Sequence, residues 1–126
     1  ASADVKIDMS NDKFTIHYKQ HRVTTDFAGA PCLLVYYDYS NNGSSASSAM
    51  VDVNLQAYQN GNLLEPAIPE SDDEAIDQFM TEVQPGQAVT VCQAFTLQDE
   101  SDVTLQAGEA FSFGGGTVVS QVLKIK

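Results

Sequence analysis

Positive charge is scarce in this chain. Six Lys and Arg face 17 Asp and Glu, leaving a formal charge of −11 over 126 residues. A surface that negative repels phosphate backbones and anionic lipid, which argues against nucleic acid, bare membrane or direct membrane insertion. It leaves cations or basic protein surfaces as partners, or no more than a solvating coat. Histidine is nearly missing too: His17 and His21 are the only two. On the strand that their neighbours imply, they share a face roughly 13 Å apart at ~3.3 Å per residue, too far for one ion. They are also the only bases open to a Ser nucleophile, and no Gly-x-Ser-x-Gly elbow occurs. A Cys–His enzyme is equally unsupported, because neither cysteine sits at an expected helix start or beside a basic cluster. Gly114-Gly115-Gly116 lacks the Lys-Ser/Thr of a phosphate loop. No cofactor and no catalytic residue is therefore expected. No apolar run nears the ~20 residues of a membrane span, and no internal repeat is present. The chain opens Ala-Ser-Ala-Asp, without an initiator Met or an apolar signal segment. That start suits a trimmed secreted product or a piece cut at a domain edge.

What the chain does hold is alternation. Its length suits one domain over 1–126, large enough to bury roughly two thirds of its unfolded surface. Pro31–Gly43 is the longest apolar, aromatic and β-branched run, closed by Asn-Asn-Gly. Leu33, Val35, Tyr37 and Tyr39 fall on one face of a period-2 strand, and Cys32, Leu34, Tyr36 and Asp38 on the other. The Asp points the first face at the core, and this strand is expected at the centre of a sheet. Around it, strands are expected at Val5–Asp8, at Phe14–Lys19 running on to Thr25, and at Met50–Gln59. Asn60-Gly61 suits a type I′ hairpin, and Pro66 stops the returning strand. Ser71–Glu74 has capping-box spacing, followed by Ile76, Phe79, Met80 and Val83 on one helical face, so a helix over Ser71–Val83 is expected. It should lie over one edge or end of the fold and bury Ile76, Phe79 and Met80. Gln87–Leu97, Val103–Ala107 and, after a Gly-rich loop, a last strand with Val119, Leu123 and Ile125 facing in complete an all-β pattern. An antiparallel β-sandwich of seven to eight strands with one short helix fits best, its core including Val53, Leu55, Val89, Val91 and Phe95.

Asp26-Phe27-Ala28-Gly29, Val35–Asn42, Ala57–Glu65, Val83-Gln84-Pro85-Gly86, Ala94–Leu97 and Val103-Thr104-Leu105 occur in an order that resembles the domain of unknown function family 5067. The resemblance covers about Thr25 to Ala107 and implies an immunoglobulin-like sandwich of Gram-positive bacterial lipoproteins. It implies no catalytic residues. Cys32 and Cys92 depart from the family pattern.

Three candidate sites follow from the residues. Cys32 and Cys92 are an even count in a chain that looks secreted, and both lie on faces turned from the core. If their strands are antiparallel neighbours the two share a side, and a disulfide between them is expected; two buried free thiols are the other reading. Asp72, Asp73, Glu74 and Asp77 are candidate Ca²⁺ ligands, or a solvated, capped helix start; EF-hand spacing is absent. Leu34, Tyr36 and Tyr58 form a candidate binding patch, or are covered by a neighbouring segment. The expected function is a non-catalytic extracytoplasmic interaction module that binds a protein, peptide or glycan. It would be extracellular or at the cell surface, lipid-anchored through a segment upstream of Ala1. A structural spacer with no ligand is the alternative.

Overall fold

The computed structural model describes residues 8–10, 12–70, 74–109 and 118–125. Its strands are β1 (Asp8–Ser10), β2 (Phe14–Thr25), β3 (Pro31–Asn41), β4 (Val53–Gln59), β5 (Asn62–Leu63), β6 (Ala88–Thr96), β7 (Val103–Glu109) and β8 (Val118–Leu123). They make two antiparallel sheets, β1-β2-β3-β6 and β5-β4-β7-β8. Strands β2, β3 and β6 take the places of A, B and E in an immunoglobulin sandwich, and β5, β4, β7 and β8 those of C′, C, F and G. Val5 and Ile7, the Ser71–Asp73 cap, the glycines of the 110–117 stretch and the side chain of Val119 lie outside the described residues.

The core forms where alternation places it. Leu33, Val35, Tyr37 and Tyr39 of β3 are almost wholly buried against Phe14 and Ile16, Val53 and Leu55, Val91 and Phe95, Val103 and Leu105, and Leu123. Val89 and Ile125 are partly buried against the same cluster. Each fully buried Leu, Val or Ile contributes roughly 1.5–3 kcal/mol. The Asn60-Gly61 turn has the positive φ at both residues (54° and 81°) that a type I′ hairpin requires.

Local hydrogen bonding overrides the pattern in three places. Val53, not Met50, opens β4, because Ser48 caps a single helical turn, α1 (Ala49–Asp52), accepting from the Val51 N–H at 3.3 Å. Asp52 ties that turn to β3 by accepting the Tyr39 hydroxyl at 2.5 Å. Met50 and Val51 are left about half exposed. Among the described residues the helix α2 covers Glu74–Gln78 and ends there, short of Val83. Backbone bonds then tighten, Met80 N–H to Asp77 O and Thr81 N–H to Gln78 O, and Val83 leaves to bridge Ser47. Ile76 and Phe79 are half-buried as a result, and Met80 is 58% exposed instead of buried. In β2 a bulge between Tyr18 and Gln20 reverses the facing of later residues. His17 therefore pairs across from Asp38 on the outer face and His21 across from Val35 on the inner one, so the two do not share a face.

The expected disulfide is absent. β3 and β6 are indeed antiparallel neighbours, and both cysteines are on their outer face. Register separates them: Cys92 stands opposite Tyr36, and Cys32 opposite Thr96. Four residues along a strand is roughly 13 Å, beyond the ~7 Å Cα limit for a bridge. Both are buried free thiols. Burial pushes the Cys32 thiol above its ordinary pKa, with Asp26 adding to the effect and Arg22 opposing it.

Two buried amides organise the loops. Asn41 Nδ2 donates to Ser45 O at 2.9 Å and to Val83 O at 2.8 Å, and its Oδ1 accepts the Gly43 N–H at 2.8 Å. Gln59 Nε2 donates to Asp99 O and Ser101 O, and its Oε1 accepts the Gln98 N–H. Removing such a buried hub strands several polar groups at about 1–3 kcal/mol each.

Three outcomes are expected. Asn41→Ala lowers unfolding free energy in urea by about 2–4 kcal/mol, whereas Asn62→Ala, on exposed β5, changes it by under about 0.5 kcal/mol. Native protein shows two free thiols by intact-mass alkylation after denaturation, and its melting temperature is unchanged by reductant. The third concerns alkali. Burial holds the Tyr37 hydroxyl far above the ordinary phenol value, the neighbouring Cys92 and Tyr39 adding to the effect. Burial likewise raises Tyr39, helped by its bond to Asp52. The folded state keeps protons that the unfolded chain releases near pH 10, so this stability is full below about pH 10 and is lost as pH rises further. The urea midpoint should hold level to about pH 9.5 and fall above 10, less steeply in Tyr37→Phe.

Candidate functional site

An apolar concavity lies on the side of the sandwich where β6 and the short β5 are the edges. After β5, Pro66 has no N–H to continue a ladder, and the chain runs beside β6. Thr96 N–H donates to Glu65 O at 2.8 Å and Ala67 N–H to Ala94 O at 3.0 Å. The two strand-like stretches and α2 enclose a groove of about 410 Å³. Leu63, Leu64 and Pro66 line it from one stretch, Ile76, Phe79 and Met80 from the helix and its following turn, and Cys92–Phe95 from β6. Leu63 and Met80 stand at its opening, 54% and 58% exposed. Among the described residues, Gln56 and Gln93 are its only polar lining side chains. Each already uses its carbonyl oxygen, accepting from Tyr58 at 3.0 Å and from Tyr37 at 2.7 Å. The groove offers apolar contact and little else.

Apolar surface continues past it. Ile68, next to the lining residue Ala67, is 67% exposed and its carbonyl accepts the N–H of Phe27, itself 73% exposed. Phe27 is displayed by a built turn: Asp26 Oδ1 accepts from the Ala28 and Ala30 N–H groups, both at 2.9 Å, and Gly29 takes φ 86°. A second hollow, between Lys19, Thr90 and α2, is polar. Two of its groups are engaged by Asp38: Thr90 donates to it at 2.6 Å, and Lys19 lies 3.5 Å from Thr90 and 3.9 Å from Asp38.

The residues that the sequence offered as a patch do not meet. Leu34 and Tyr36 are buried on the outer face of the first sheet, under Ala75 and Ile76 of α2. Arg22 closes over Tyr36, its Nε donating to the hydroxyl at 3.1 Å. Tyr58 lies half-buried on the outer side of the other sheet. Of the candidate Ca²⁺ ligands, Asp72 and Asp73 lie outside the described residues, and Glu74 and Asp77 are exposed on α2. Among the described residues no three His, Cys, Asp or Glu gather where they could hold a metal. The histidines are also spoken for. His17 Nδ1 lies 2.8 Å from Asp8. His21 Nε2 reaches Lys124 O at 3.0 Å and so carries the proton, while its Nδ1 accepts the Tyr18 hydroxyl at 2.5 Å. The bond to Lys124, just after β8, links the two sheets, while the Tyr18 bond orients the ring within β2. Sequence reasoning missed the groove because it buried Met80; the signal available was Pro66 ending β5 just before an apolar pair.

No helix among the described residues is long and apolar enough to cross a membrane. Nothing matches among curated proteins. Two solved structures share the fold. One, a candidate lipoprotein (ycdA) of Bacillus subtilis, is 15% identical with a TM-score of 0.67; the match covers 96% of this chain and 39% of that one. The chain thus spans about two fifths of that protein. The other, a candidate lipoprotein of Staphylococcus aureus, is 12% identical with a TM-score of 0.67, covering 95% and 93%. The profile of one family matches residues 1–109, and the chain belongs to that family, the domain of unknown function DUF5067.

Proposed function

We propose that this domain is a non-catalytic binding module of an extracytoplasmic bacterial protein, and that its groove between β6, α2 and the β5–Ala67 stretch takes an apolar segment of a polypeptide partner. The observation that carries this reading is the groove itself: an apolar concavity of about 410 Å³, with Leu63 and Met80 exposed at its opening. Large apolar side chains held at a surface concavity mark interaction sites. A glycan suits it poorly, since its many hydroxyl groups need hydrogen-bond partners and the described lining offers two amides among apolar side chains. A non-enzymatic role is supported by the wiring of both histidines into structural bonds and by the protonated, buried Cys32. The likeness in fold to two candidate lipoproteins supports a place at the cell surface, lipid-anchored through an upstream segment. One observation favours a spacer role instead: the same fold occupies only 39% of the Bacillus chain, as part of a longer protein.

Selection of displayed random peptides on the wild-type domain, with Leu63→Gln/Met80→Gln as the counter-target, separates the two. Both side chains are more than half exposed, so the variant should keep its fold and melting temperature. A binding module enriches peptides that lose at least tenfold in affinity on the variant, as expected when two partly buried apolar contacts are removed. Peptides that bind both proteins equally, or no enrichment at all, would favour the spacer.

A further inference from the structure

We propose that the partner segment is basic as well as apolar, with lysine or arginine flanking the side chains that enter the groove; this rests on the binding reading above. From Val23 to Leu123 the chain contains no Lys, Arg or His. Three of the 17 acids precede that stretch and none follows it, so 14 lie within it. Every residue that lines the groove belongs to this base-free stretch.

The acids are placed to be felt there. Glu65 sits between the lining residues Leu64 and Pro66, and Asp77 between Ile76 and Phe79; Glu74 and Glu82 bracket α2 and its following turn. All four are exposed. Neither ion pair among the described residues, His17–Asp8 and Lys19–Asp38, involves them. Lys19 lines the neighbouring polar hollow with Glu74 of α2, where Asp38 and Thr90 engage it, and Arg22 lies over Tyr36 and donates to its hydroxyl; neither base lines the groove. At physiological salt, fields decay over ~8 Å, so the carboxylates set among the lining residues, Glu65 and Asp77 above all, dominate the field at the groove. An occupant ringed by carboxylates is favoured when it brings cations and disfavoured when it brings acids. Exposed rim charges act mainly through association rate and salt dependence, which is where the effect should be read.

Three synthetic peptides with one Leu-Leu-Phe centre and flanks of Lys-Arg, Ser-Ser or Glu-Glu test this by fluorescence anisotropy at 20 and 300 mM NaCl. Targets are the wild type, Glu65→Gln/Asp77→Asn and Leu63→Gln/Met80→Gln. The expected result at low salt is tightest binding for the basic peptide, with the acidic one weaker by at least about tenfold. That gap should shrink at 300 mM and in the Glu65→Gln/Asp77→Asn variant, and binding should be lost in the apolar variant. Equal affinity of the three peptides at low salt, still lost in Leu63→Gln/Met80→Gln, would overturn the charge preference and leave the groove reading standing. Basic-peptide binding unchanged by Leu63→Gln/Met80→Gln, or no binding by any peptide, would remove both. Sedimentation showing a wild-type dimer broken by the apolar variant would assign the groove to a second copy and overturn the proposal.

Discussion

Burying β3 on both faces demands two separate apolar layers. The inner one is the sandwich core, where Leu33, Val35, Tyr37 and Tyr39 meet the facing sheet. The outer one has to come from elsewhere, because Leu34, Tyr36 and Cys92 present an apolar surface to solvent unless something covers it. Helix α2 meets that need with Ala75 and Ile76. A helix this short has almost no stability of its own, so the outer surface of β3 and β6 holds the helix as much as the helix seals the sheet. The rest of the arrangement follows: the chain must leave β5, pass along β6 and reach α2.

That path creates the groove. Glu65 and Ala67 follow β6 closely enough to exchange two backbone bonds with it, and α2 packs against the same strand. Between them the cover is incomplete, which leaves Leu63 and Met80 open to water. The gap is lined with Leu, Ile, Phe and Met, and every base lies elsewhere in the sequence. Edge β6 is meanwhile partly paired by the Glu65–Ala67 stretch, which limits uncontrolled strand addition.

Much of the fold was legible because it rests on period-2 alternation and local turn chemistry. The faces of β3, the Asn60-Gly61 hairpin and nearly all the core residues could be read that way. What failed was non-local. Parity placed Cys32 and Cys92 on one side of adjacent strands, but register decides whether they meet, and register is set by loops and bulges far from either residue. The His17–His21 reading failed for a similar reason, since one extra residue near Lys19 reversed the facing. Met80 was assigned to a helical stripe that ends before it, as the bridge between Ser47 and Val83 draws the chain away. The buried amides Asn41 and Gln59 left no trace in hydrophobic patterning, because polar hubs are specified by the loops they hold. The site itself straddles three segments distant in sequence, so no local motif could mark it.

The central claim is a location, and amide chemical-shift mapping with the neutral Ser-flanked Leu-Leu-Phe peptide reads it directly. Saturable shifts should gather at Leu63, Leu64, Ala67, Ile76, Met80 and Cys92–Phe95, leaving β1, the first half of β2 and the polar hollow at Lys19 and Thr90 still. Shifts centred on that hollow, or spread evenly over the loops, would contradict the account.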